Sequence, residues 1–261
     1  MILIDLYIDK LKVNYKVTGN GKNIVLLHGW GCCIKTFEPV HNYLEKNFCT
    51  YSIDLPGFGE SEEPETVWGV EEYGNLVIKF LEKLNIEEPI LMGHSFGGKI
   101  SIFVAAKKKI NKVILIGSTG VKPRRKPIYY FKVYSYKLAK HAFNLPFLKK
   151  YRDQVLSSFK KKSGSEDYRN ASGIMQKILV KSVNEDLQWL MPQVKAPVLL
   201  IWGENDTATP VSDGKIMEKI MVDAGLVVLK NAGHYAYLDK FNEFIIIISN
   251  FLKKDMVKNI D

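Results

Sequence analysis

The strongest constraint on this chain is a set of short, unbroken apolar runs that recur along it. Asn23-Ile24-Val25-Leu26-Leu27 is the first, and Thr50–Leu55, Pro89–Met92, Lys112–Ile116, Val198–Trp202 and Gly225–Leu229 repeat the type. A strand with one wet face alternates apolar and polar residues. A strand that is apolar throughout must be covered on both faces, which is the condition of a parallel sheet. Helical patterns lie between most of these runs, at Phe37–Glu45, Val70–Leu84, Gly97–Lys107 and Asp213–Val222, with a last helix over Asp239–Lys253. The alternation predicts an α/β fold, a mostly parallel central sheet flanked by helices. Residues 3–18 read as an additional strand pair, with Thr18-Gly19-Asn20-Gly21 as the turn.

One stretch breaks the rhythm. From Val121 to Met191 there is no buried-strand run, only amphipathic segments punctuated by Pro123, Pro127 and Pro146. Residues 121–191 are therefore expected to form a helical insertion, or lid, within a core made of 1–120 and 192–261. A chain of 261 residues is long enough for that arrangement.

The net charge of +9 is concentrated in the insertion. Between Val121 and Lys162 there are thirteen Lys/Arg against a single acid, Asp153, so the remainder of the chain is net acidic. Tyr129, Tyr130, Phe131, Tyr134, Tyr136, Phe143, Phe147 and Tyr151 are interleaved with these cations. The preferred reading is that the aromatics face the core while the lysines keep the outer face soluble. The competing reading is a lid that touches anionic membrane. A nucleic-acid partner is not expected. Three cysteines, Cys32, Cys33 and Cys49, are too few for a disulfide framework. With no signal-peptide pattern and no apolar run near membrane-spanning length, the expected location is cytoplasmic.

The chemistry centres on Gly93-His94-Ser95-Phe96-Gly97, a G-x-S-x-G pentapeptide between an apolar run and a helical one. On a strand-to-helix turn the serine is forced into a strained conformation that lifts its hydroxyl clear of the sheet, and flanking side chains would collide. Serine is a weak nucleophile at neutral pH and needs a base held by a third group. Of the five histidines, His28 and His94 lie in glycine-rich turns, His41 in a helical pattern and His141 in the insertion. His234, in Asn231-Ala232-Gly233-His234, follows the last apolar run, where a loop presents a side chain above the sheet. Asp206, on the loop leaving Val198–Trp202, is the expected orienting acid, with Glu204 its competitor. The order Ser95, Asp206, His234 is that of nucleophile, acid and base in one fold class. The expected oxyanion donors are the backbone N–H groups of Phe96, directly after the nucleophile, and Trp30, in His28-Gly29-Trp30-Gly31.

Together HGWG at 28–31, DLPGFGES at 54–61, GHSFGG at 93–98, GEND at 203–206 and AGH at 232–234 resemble the α/β-hydrolase superfamily across nearly the whole chain. The resemblance implies that Asp54 belongs to a structural turn and that the lid falls between the sixth and seventh strands. A serine nucleophile speaks against haloalkane dehalogenases and epoxide hydrolases, and Phe96 after it against proline iminopeptidases. The expected activity is a serine hydrolase cleaving a carboxylic ester or thioester. The alternatives are a carbon–carbon bond hydrolase of diketone-like substrates and a ligand-capturing signalling module that uses the same triad. No metal or organic cofactor is implied, because H-E-x-x-H, P-loop and dinucleotide fingerprints are all lacking.

Overall fold

The computed structural model describes residues 3–123, 125, 127, 128, 134, 135, 138, 166–171 and 173–256. Eight strands form one sheet: β1 (Ile4–Ile8), β2 (Leu11–Thr18), β3 (Asn23–Leu27), β4 (Cys49–Ile53), β5 (Ile90–His94), β6 (Lys112–Ile116), β7 (Val198–Gly203) and β8 (Ala224–Leu229). Their order is β1-β2-β4-β3-β5-β6-β7-β8. β1 and β2 pair antiparallel, as do β2 and β4, and every later pairing is parallel.

The apolar runs are explained by their register. Successive side chains of a strand point to opposite faces. In β3, Val25 and Leu27 enter one core while Ile24 and Leu26 enter the other; in β6, Val113 and Leu115 oppose Ile114 and Ile116. In β7, Val198, Leu200 and Trp202 oppose Leu199 and Ile201. Full burial of each such side chain contributes roughly 1.5–3 kcal/mol. Helices α1 (Ile34–Leu44) and α8 (Phe241–Leu252) close one face with Phe37, Val40 and Leu44 and with Phe244, Ile248 and Leu252. Helices α2 (Val70–Lys83), α3 (Phe96–Lys107) and α6 (Val211–Ile220) close the other, through Phe80, Phe103 and Met217 among others.

The hairpin differs from the expectation. It reverses at Asp9 and Lys10, both left-handed with φ of 49° and 72°, rather than at Thr18–Gly21. Positive φ at both central positions is what a two-residue hairpin loop needs, and here it is met without glycine. Gly19 and Gly21 serve the next connection. A β-carbon at Gly19, where φ is +82°, would sit 2.2 Å from the Phe48 carbonyl. The last helical pattern is α8, preceded across Lys240 by a single additional turn, α7 (Ala236–Asp239).

Between β6 and β7 the described residues form α4 (Glu166–Asn170), α5 (Gly173–Asn184) and a short 3-10 turn, Met191–Gln193. Leu187, Leu190 and Met191 are buried in the main core, and α5 buries Met175, Ile178, Leu179 and Ser182. Lys99 of α3, itself buried, donates to the carbonyls of Ser182 (2.5 Å) and Glu185 (2.8 Å) and ties this segment to the core. Most of the basic, aromatic stretch falls outside the described residues, including every aromatic named above except Tyr134, and so does His141. Among the described residues no helix is long and apolar enough to cross a membrane.

Helix α3 starts against the sheet with no clearance. A β-carbon at Gly97 would lie 2.0 Å from the Leu27 carbonyl oxygen, a backbone atom with nowhere to move. Gly97→Ala is expected to destabilise by about 1–3 kcal/mol despite alanine's better helix propensity. That corresponds to a fall of several degrees in Tm on a thermal melt.

His28, His41 and His94 are fully buried, and burial pushes their pKa values down to about 4, 4 and 3. Unfolded, each takes a proton near the ordinary histidine value of about 6.5. The folded chain therefore binds fewer protons than the unfolded one below that pH. Stability is complete above about 6.5 and is lost as pH falls towards 4, by up to about 1.4 kcal/mol per pH unit for each group. The Tm is expected to drop clearly between pH 7 and pH 5, above most carboxylate titration. A flat profile there would show that these imidazoles are not held neutral.

Candidate active site

A single residue, Ser95, separates β5 from α3. Its φ of 51° and ψ of −109° belong to no regular structure, a strain of roughly 1–3 kcal/mol. The surroundings hold it there. Ser95 N–H donates to the Ile116 carbonyl at 2.9 Å, and the Ser95 carbonyl accepts from Thr119 and Lys99. The flanking glycines have the expected cause: a β-carbon at Gly93 would lie 2.4 Å from the Gly97 carbonyl oxygen, and one at Gly98 would lie 2.4 Å from the Ser118 hydroxyl.

The acid and the histidine come from adjacent loops beyond β7 and β8. These loops are laced together: Glu204 N–H donates to Leu229 O at 2.9 Å, and Asn205 N–H to Ala232 O at 2.8 Å. Asp206 Oδ2 meets His234 Nδ1 at 2.8 Å. The same carboxylate receives the N–H groups of Ala208 and Thr209 on Oδ1, both at 2.9 Å, and faces the Thr209 hydroxyl at 2.8 Å through Oδ2. Burial alone would raise its pKa. The hydrogen bonds from His234 and Thr209 outweigh that and hold the carboxyl below its usual range. Because Nδ1 faces a carboxylate it carries the imidazole proton, which leaves Nε2 as an acceptor.

Glu204 does something else. Its carboxylate accepts the Asn231 N–H at 3.1 Å and so steadies the loop that ends in His234. His28 is also committed, with Nε2 accepting the Leu55 N–H at 3.0 Å. His41 is on the buried face of α1, bonded to Thr18 at 2.8 Å and Ser52 at 2.7 Å. Asp54 receives Ile34 N–H at 2.7 Å and Glu60 N–H at 3.0 Å, and a β-carbon at Gly59 would strike its carboxylate. It is a turn residue, as the resemblance implies.

Ser95, Asp206 and His234 gather at one rim, where β5 to β8 end. Gly117, just past β6, marks the convergence. A β-carbon there would lie 3.1 Å from Asp206 Oδ2 and 3.2 Å from His234 Nδ1, two residues from the Thr119 amide that holds Ser95. The backbone N–H groups of Trp30 and Phe96 are spent on no hydrogen bond among the described residues. The Trp30 indole packs edge-on to Phe58 and Phe96 at 4.9 and 5.4 Å between centroids. Beside it opens a cleft of about 460 Å³, walled by Trp30, Phe58, Met175 and Tyr235 among others. Among the described residues no group of three or more His, Cys, Asp or Glu side chains could hold a metal ion. Thr209 was not foreseen from the sequence. Only the fold reveals that a loop threonine before a proline reaches the Asp206 carboxylate.

The sequence profile of the α/β hydrolase fold matches residues 22–241. The uncharacterized hydrolase YugF of Bacillus subtilis is 28% identical over 94% of this chain and 96% of that protein. The pimeloyl-[acyl-carrier protein] methyl ester esterase of Nitrosomonas europaea is 26% identical over 89% of this chain and 96% of its own length. Among solved structures, the enol-lactonase of Burkholderia xenovorans superimposes with a TM-score of 0.74 at 20% identity, covering 96% of this chain and all of that one. A mostly parallel eight-stranded sheet, a strained serine between strand and helix, and a profile match across most of the length lead to one assignment: the chain belongs to the α/β-hydrolase fold family and is a hydrolase.

Proposed function

We propose that the protein is a serine hydrolase that cleaves a carboxylic ester or thioester through an acyl-enzyme on Ser95. The observation that carries this reading is the 2.8 Å contact of His234 Nδ1 with a fully satisfied, ionised Asp206, on the rim that also holds Ser95 in its strained turn. His234 Nε2 takes the Ser95 proton as Oγ attacks the acyl carbon. Asp206 fixes the imidazole tautomer and stabilises the imidazolium without accepting the proton. The N–H groups of Phe96 and Trp30 receive the oxyanion, whose charge is also favoured by the N-terminus of α3. His234 then returns the proton to the departing alcohol or thiol. Water attacks the acyl-enzyme next, with His234 again as base, and releases the acid and Ser95.

The ester assignment draws support from the methyl ester esterase relative, which aligns with most of this chain. Residues 121–191 act as the lid in this reading. Met175 of α5 contributes a wall of the cleft beside Trp30, so the insertion shapes the substrate pocket.

Ser95→Ala is expected to lower p-nitrophenyl acetate turnover by several orders of magnitude, and Asp206→Asn by about 10³–10⁴-fold, with Tm little changed. Steady-state kinetics on the purified variants, together with fluorophosphonate labelling of the parent, check this. Unchanged turnover in Ser95→Ala would remove Ser95 as the nucleophile.

A further inference from the structure

His94 takes no part in the chemistry above, yet it is enclosed by the loops that perform it. It ends β5, next to Ser95, and is buried. Its Nε2 lies 3.0 Å from the carbonyl oxygen of His234. A carbonyl can only accept, so Nε2 carries the proton and Nδ1 is a bare lone pair. That Nδ1 is buried with no hydrogen-bond partner among the described residues. It faces the oxyanion loop, for a β-carbon at Gly29 would lie 2.7 Å from His94 Nδ1 and 3.3 Å from Ser95 Cβ. The ring also packs on His234, Tyr235 and Tyr237, with centroids 4.7, 4.9 and 5.2 Å away.

A leucine would fill the same volume without leaving a buried nitrogen unsatisfied, which carries a cost that packing alone does not require. The other tautomer would leave an N–H with no acceptor and turn the Nε2 lone pair towards the carbonyl's own. One imidazole in one tautomer therefore spans the loop of the base and the loop of an oxyanion donor, while its backbone continues into the nucleophile.

We propose that His94 is a positioning residue: its Nε2–H holds the His234 carbonyl and its ring spaces Gly29, setting the base and the oxyanion loop relative to Ser95. This rests on the assignment of Ser95 and His234 as nucleophile and base.

The test compares His94→Leu, which keeps the volume and loses the donor, with His94→Gln, whose amide nitrogen can reach the position of Nε2. His94→Leu is expected to lower kcat for p-nitrophenyl acetate about 10–100-fold with KM within about threefold, the signature of displaced catalytic groups. His94→Gln is expected to recover kcat to within about threefold of the parent. Equal impairment of both variants, or a change confined to KM, overturns the proposal. Should His94→Leu fail to fold, nitrogen-15 NMR of the parent imidazole decides: an Nε2–H tautomer with a protected proton supports the proposal, and an Nδ1–H tautomer overturns it. A parent without Ser95-dependent turnover overturns the hydrolase reading and this one together. Ser95-dependent turnover that is unchanged in His94→Leu overturns this one alone.

Discussion

Everything at this site depends on how little chain connects β5 to α3. With one residue available, the helix must begin in contact with the strand it has just left, and Ser95 must adopt φ near 51° to turn the corner. The glycines follow from that contact, since the spaces beside positions 93, 97 and 98 are already filled by carbonyls and a hydroxyl. A left-handed turn of this kind is unstable alone. It persists because Ile116 and Thr119, from the next strand and its loop, hold Ser95 from both sides. The strain is thus sustained by the parallel sheet, whose two buried faces supply most of the folding free energy.

The second constraint is electrostatic. A carboxylate as buried as Asp206 is costly to ionise, and here two backbone N–H groups, a hydroxyl and an imidazole surround it. The balance favours the anion. An ionised acid gives His234 a fixed tautomer, with Nε2 left as an acceptor. Thr209 is central to this balance because it contributes its amide and shares its single hydroxyl proton between Asp206 Oδ2, 2.8 Å away, and the Gly117 carbonyl, 2.9 Å away. One threonine therefore links the loops after β6 and β7 behind the histidine.

Which of these features the sequence discloses follows from their range. The parallel strands are legible because burial on both faces writes an apolar run, and observed boundaries such as Lys112–Ile116 follow it. The Ser95 turn is legible because its steric demand is local and only glycine meets it. The Asp9–Lys10 reversal is hidden, since only the aspartate is a usual left-handed type, the lysine after it is not, and the glycines ten residues later are the stronger turn signal. Asp206 over Glu204 is half legible: both leave the same strand, and only the pairing of two loops sends one carboxylate to His234 and the other to Asn231. Thr209 meets Asp206 within its own loop but the Gly117 carbonyl across 92 residues, and His94 meets the His234 carbonyl across 140; no local pattern encodes those long-range contacts.

The same distinction separates the rim from the cleft beside it in this molecule. The groups at the rim stand on short loops that are bonded to one another at the ends of the strands. The cleft beside Trp30 is of another kind. Its walls combine the turn at Gly57 and Phe58, the residue after the histidine, and side chains of α4 and α5 from the segment between β6 and β7. Met175 lies so close to Gly57 that a β-carbon there would meet its sulfur at 2.4 Å, so α5 is fitted directly onto the core turn. Lys99, one helical turn beyond Ser95, holds the far end of α5 by the Ser182 carbonyl and the residue just past it by the Glu185 carbonyl. Helix α3, which begins at the strained Ser95, thereby also anchors the segment that walls the cleft, so the two parts of the structure share one support while resting on different contacts.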